Sequence, residues 1–112
     1  MITIEKLNEL GCNTAEGLER CLNDEGFYLE LLPGAFEKKR YEELENKIRS
    51  KDTEAAFDEA HALKGVLSNL AITPLFDVLS EITEDLREKK DMDYSGLISK
   101  MWEVYGSFEE LM

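Results

Sequence analysis

Three residues in one short run have the types and spacing for group transfer: His61, Lys64 and Gly65, within Ala60-His61-Ala62-Leu63-Lys64-Gly65. His61 is the only histidine in the chain. A neutral imidazole is a competent nucleophile near pH 7 and attacks an acyl phosphate without a base of its own. On a helix, side chains at i+3 and i+4 share the face of residue i and lean back toward it, so Lys64 brings its ammonium toward the ring. Gly65 brings no side chain and leaves the ring uncovered. Glycine inside a helix costs roughly 1 kcal/mol relative to alanine, and clearance for a second protein beside the imidazole is a physical reason to keep it. One nucleophile, one cation and one gap make a candidate phosphoryl carrier, because positioning and electrostatic stabilisation do most of the work in phosphoryl transfer.

The surrounding positions supply candidate partner contacts. Phe57 at i−4 and Ser68 at i+7 fall on the histidine's face, and Asp58 lies one turn before it. Phe57 is also a candidate core residue, Ser68 a residue of the contact surface, and Asp58 a bystander or docking residue. Lys64 and Gly65 belong to the same surface. The plain alternative for His61 is a surface or satisfied core histidine on a helix. For Lys64 it is a solvated lysine paired weakly with Glu59, Asp58 or Asn69, worth only about 0.2–1 kcal/mol.

These residues need a helix to hold them, and the chain reads as all-α. Apolar positions recur at helical spacing and no stretch alternates strictly as a half-buried strand does. Short helical pieces are expected over residues 1–22, including Ile4 to Leu10 and a start at Asn13, where Glu16 three residues later completes a possible capping box. The next segment, about 24–36, carries Tyr28, Leu31 and Leu32, and Pro33-Gly34 should stop or kink it. Residues 38–50 place Tyr41, Leu44 and Ile48 on one stripe. Residues 53–70, capped by Asp52, set Ala56, Ala60, Leu63, Leu67 and Leu70 in a seam, with His61 one step off it. Thr73 as cap and Pro74 at the first helical position start 74–90, with Leu75, Leu79, Ile82 and Leu86 inward. The last segment, 94–110, buries Leu97, Met101, Val104, Phe108 and Leu111, with Trp102 and Tyr105 flanking. The expected architecture is one domain over 1–112, an antiparallel four-helix bundle with one or two short extra N-terminal helices.

Charge and composition remove several function classes. Thirteen Lys and Arg against twenty-five Asp and Glu leave a formal charge of −12, which repels nucleic acid and anionic lipid at long range. No basic start followed by an apolar run occurs near residues 1–6, and no segment approaches the roughly 20 apolar residues of a membrane span, so a cytoplasmic protein is expected. Cys12 and Cys21 lie outside any metal-binding spacing and read as buried or idle thiols. A carboxylate-bridged metal centre would need Glu-x-x-His pairs on several helices, and Asp58-Glu59-Ala60-His61 supplies one approximate pair. No metal site is expected in this chain.

The run His61-Ala62-Leu63-Lys64-Gly65 resembles the His-x-Leu-Lys-Gly signature of histidine phosphotransfer (HPt) domains. Gly17-Leu18-Glu19-Arg20, Tyr28-Leu29-Glu30-Leu31-Leu32, Phe36 and the leucines after Thr73 are also similar, so the likeness spans nearly the whole chain, while only the His61 segment is specific. The resemblance implies a helical bundle with His61 as phosphoacceptor, Lys64 as charge partner and Gly65 as the clearance position. It implies transfer from the aspartyl phosphate of one receiver domain to another, in exchange with a sensor or hybrid histidine kinase, with Mg²⁺ supplied by the receiver and no ATP-binding module in this chain. A monomer is expected. The sequence departs from the family pattern at Val66 and Leu67, which are bulkier than usual and could alter docking. It also departs at Ala71, where glycine is frequent, and at Pro33-Gly34. The alternative that Val66, Leu67 and the negative Asp58 motivate is a helical adaptor that docks receiver or kinase domains without carrying phosphate; the other two departures touch only local geometry.

Overall fold

Asp52 opens the helix that carries the histidine: its carboxylate accepts from the Ala55 N–H at 3.3 Å, and the helix runs over Thr53–Asn69. The computed structural model describes residues 2–112, so Met1, the first residue of the expected N-terminal helical stretch, lies outside the described residues. In chain order the helices are α1 (Ile4–Glu9), α2 (Thr14–Arg20), α3 (Glu25–Ala35), α4 (Lys38–Arg49), α5 (Thr53–Asn69), α6 (Thr73–Arg87) and α7 (Ser95–Glu109). No strand occurs among the described residues. None of these helices is long and apolar enough to cross a membrane.

Helices α4 to α7 form a bundle. α5 packs against both α4 and α6, and α6 packs against α7. Helix α7 returns to α4: the Trp102 indole N–H donates to Glu45 at 2.6 Å and Lys38 pairs with Glu109 at 4.0 Å, a register in which the two helices run antiparallel. That indole bond, followed by Arg49, holds the Glu45 carboxyl below the ordinary carboxylate range. Between α4 and α5, Glu59 meets Lys47 at 3.3 Å and Arg40 at 3.6 Å. The expected seam of α5 is buried throughout, as are Tyr41, Leu44 and Ile48 of α4 and Leu75, Leu79, Ile82 and Leu86 of α6.

Helix α7 buries Met101 and Phe108 as expected, but Ile98 and Tyr105 take the inward positions expected of Leu97 and Val104. Its buried residues are Ile98, Met101, Tyr105 and Phe108, while Leu97, Val104 and Leu111 are only half-buried. Tyr105 decides this. Its ring packs 4.9 Å from that of Tyr41, centroid to centroid, and its hydroxyl donates to the Phe36 carbonyl at 2.8 Å, so the polar tip is satisfied inside the core. Phe36 stacks on Phe108 at 5.2 Å, which fastens the end of α3 to α7.

Two other boundaries differ from expectation. Helix α3 passes through Pro33 and ends two residues later at Ala35. Proline so near a C-terminus interrupts the ladder only in the final turn. Helix α6 begins one residue earlier than expected, with Ile72 as cap and Thr73 inside the helix. The Thr73 hydroxyl donates to the Ala71 carbonyl at 3.3 Å and so does not serve as the cap acceptor. At α2, Asn13 caps as expected, accepting from Glu16 N–H at 3.2 Å. The return bond differs: Glu16 accepts from the Asn13 side-chain amide at 3.1 Å, while the Asn13 backbone N–H goes to Ala71 at 3.2 Å.

Helices α1, α2, α4, α5 and α6 close alike, with a left-handed residue (Gly11, Leu22, Lys51, Ala71 and Lys89) and two N–H groups reaching back over the last turn. After α5 that residue is Ala71, at φ 55°. The family-atypical alanine therefore stands where glycine is the unstrained choice. Ala71→Gly is expected to stabilise the fold by about 0.5–1 kcal/mol, the relief of left-handed strain exceeding the loss of one buried methyl. A higher urea midpoint at unchanged m-value checks it.

The N-terminal helices lock onto the end of α5 at one close approach. Gly17 of α2 lies under Tyr28 of α3, whose hydroxyl donates to the Leu70 carbonyl at 2.8 Å. Burial, with Cys12 and Cys21 nearby, pushes the Tyr28 phenol up to about 12. Burial also pushes the Cys12 thiol up to about 11, which keeps it protonated and unreactive. Both cysteines are buried and free.

Candidate functional site

The face of α5 that turns away from the core toward α6 carries the expected residues. His61 and Gly65 are exposed, Phe57, Lys64 and Ser68 are half-buried, and Asp58 is exposed. Helical spacing puts Phe57, His61, Lys64, Gly65 and Ser68 in one row, and the row stays out of the core because Ala60, Leu63 and Leu67 occupy the inward stripe.

His61 lies flat against Phe57. The ring centroids are 5.7 Å apart and the planes differ by 13°, an offset parallel stack between residues one turn apart. Lys64 reaches across the seam to α6, where its ammonium lies 6.0 Å from the centroid of Phe76. The acids proposed as its plain partners are not used: Glu59 is held by Lys47 and Arg40, and neither Lys64 nor Asp58 forms an ion pair among the described residues. Lys64 is thus a tethered but electrostatically unspent cation one turn from the imidazole.

Gly65 has a simple geometry. A Cβ added there would meet nothing within 4 Å. Packing within the chain gives no reason for a glycine at this position, so the gap faces outward. Gly65→Ala is therefore expected to stabilise the fold by about 1 kcal/mol through helix propensity alone. On the clearance reading it also slows transfer with a protein partner. Thermal unfolding alongside a transfer assay checks both signs; a stabilised variant with undiminished transfer removes the clearance role.

Leu67 is fully buried in the seam and so does not crowd this face, while Val66 packs half-buried against the core beside Gly65.

Three neighbours escaped the sequence reading. Phe76 and Arg87 of α6 flank the row: Phe76 lies beneath Lys64, and the Arg87 guanidinium sits 5.3 Å from the Phe57 ring centroid. Arg20 of α2 donates to the Ser68 carbonyl and pairs with Glu16, at the edge of a cleft that Phe76 and Asp77 also line. Pairing the antiparallel registers of α5 and α6 would have placed Phe76 and Arg87; nothing local flags Arg20. Among the described residues no three His, Cys, Asp or Glu side chains converge as a metal-binding set.

Comparison with known proteins gives one family. The family model described as the Hpt domain matches residues 38–104, from the start of α4 to Val104 in α7, and so includes the whole of α5 and α6. No curated protein and no solved structure matches the chain.

Proposed function

Since the chain belongs to the Hpt domain family, whose members carry phosphoryl groups in phosphorelays and are not kinases, we propose that His61 is the residue that carries the phosphate. The observation that supports this most is the exposed imidazole with an unpaired lysine one turn on and an outward gap at Gly65. In the accepting step, Nε2, the ring nitrogen farther from the backbone, attacks the phosphorus of a receiver's aspartyl phosphate. The P–O bond breaks, the aspartate carboxylate leaves with its electron pair, and the Nδ1–H keeps its proton. In the donating step a second receiver's aspartate attacks phosphorus and the P–N bond breaks, returning neutral imidazole. Neither step asks this chain for a general base.

Lys64 offsets charge spread over the phosphoryl oxygens, and a Mg²⁺ ion held by the receiver supplies the rest. Phe57, Asp58, Gly65 and Ser68 contribute to docking. A sensor or hybrid histidine kinase stands upstream, the exchange takes place in the cytoplasm, and the chain acts as a monomer. A carrier that meets more than one receiver must let go, so the interface is modest and short-lived.

Incubation with a phosphorylated receiver and Mg²⁺ tests the reading. Label should move to this chain as an acid-labile, base-stable adduct that maps to His61. An unlabelled chain, or label of the opposite stability, removes it.

A further inference from the structure

Three side chains from two helices form a continuous stack that ends on the candidate nucleophile. Arg87, in the last turn of α6, lies over the ring of Phe57 at 5.3 Å, and the same ring lies against His61 at 5.7 Å and 13°. Phe57 is anchored because it packs half-buried against the core, whereas His61 is exposed and has no hydrogen bond among the described residues. Arg87 is in turn held by Glu84 at 3.5 Å. The stack with Phe57 is therefore the ring contact that orients the imidazole, which has no hydrogen bond or ion pair among the described residues to orient it instead.

Resting on the carrier reading of His61, we propose that Phe57 is a positioning residue for phosphoryl transfer, fixing the imidazole in one rotamer, and that Arg87 clamps Phe57 from α6. An exposed histidine without such a contact divides its time among staggered rotamers, of which one presents Nε2 along the line of attack. Holding that rotamer in advance raises the fraction of encounters with reacting atoms in line. This differs from a docking role, which would matter only when a protein partner is present.

Phosphoramidate separates the two roles, because this small donor needs no docking surface. Nε2 attacks its phosphorus, the donor P–N bond breaks, and ammonia leaves. Phe57→Leu keeps apolar bulk and removes the ring; Phe57→Tyr keeps the ring; Arg87→Gln removes the clamp. Phe57→Leu is expected to slow labelling of His61 by phosphoramidate about fivefold. It should also remove the upfield ring-current displacement of the His61 proton resonances. Phe57→Tyr should restore both, and Arg87→Gln should lie between. If Phe57→Leu does not fold, Phe57→Met and Arg87→Gln carry the same test. Wild-type rate and unchanged resonances in the variants that lack the ring or the clamp overturn the positioning role while leaving the carrier reading intact. A slowdown seen with a receiver but not with phosphoramidate overturns it in favour of docking. A wild-type chain unlabelled at His61 by either donor overturns the carrier reading and this inference with it.

Discussion

His61→Gln is expected to leave the chain folded and unable to carry phosphate. Glutamine keeps a polar side chain of comparable length on an exposed helical position, so the bundle loses little more than the stack on Phe57, within about 1 kcal/mol. The chemistry has no reserve. His61 is the only histidine, the Cys12 thiol is buried and held protonated by its surroundings, and Cys21 is buried as well. An amide nitrogen does not attack an acyl phosphate at neutral pH. Transfer from a phosphorylated receiver should therefore fall to background while circular dichroism and thermal midpoint stay near wild type. Equal labelling of the variant would place the acceptor elsewhere and remove His61 from the mechanism.

Gly17→Ala should produce the largest loss of stability among single-methyl changes considered for this chain. A Cβ at residue 17 would lie 2.7 Å from Tyr28 Cε1 and 2.8 Å from the Leu70 carbonyl oxygen, closer than packed atoms approach. Neither neighbour gives way easily. The carbonyl is backbone at the left-handed exit of α5, and Tyr28 is fully buried with its hydroxyl bonded to that same oxygen. Relief must come from moving α2 outward or from breaking the Tyr28 bond, at about 2 kcal/mol net of the helix-propensity gain. For a chain of this size that lowers the thermal midpoint by roughly 10 °C. The same substitution at Gly65 carries the opposite sign, so the pair measured together isolates packing from propensity. A Gly17→Ala variant as stable as wild type would show that α2 is not held by this contact.

Phosphotransfer should respond to the two glycines in reverse order of their effect on stability. Gly17 lies at the junction of α2, α3 and α5, away from the row that carries His61, while Gly65 lies within that row. That outcome would separate stability from transfer within one helix and its supports.

Much of the fold was legible in the chain because helix geometry is local. The caps Asn13 and Asp52 and the seams of α4, α5 and α6 follow from residue type and 3.6-residue spacing, and each appears within a residue or so of its expected place. Part of the inward stripe of α7 was not legible. Leucine, valine and tyrosine compete for the inward stripe, and the winner depends on whether a carbonyl waits to receive the tyrosine hydroxyl. Phe36 supplies it from sixty-nine positions away. Thr73 was misplaced by one residue for a related reason: its hydroxyl had a choice of partners and took the Ala71 carbonyl.

By itself the sequence determined the histidine's helix, its position one step off the core seam, and the lysine and glycine beside it, since residues three and four apart on a helix are neighbours wherever that helix goes. Only the tertiary structure decided what surrounds them. The antiparallel register of α5 and α6 brings Phe76 under Lys64 and Arg87 over Phe57, and the approach of α2 to the end of α5 makes Gly17 a packing requirement. Gly65 looks the same on paper and proves to face open space. Contacts between residues far apart in the chain depend on how whole helices are laid against one another, and no local spacing encodes that.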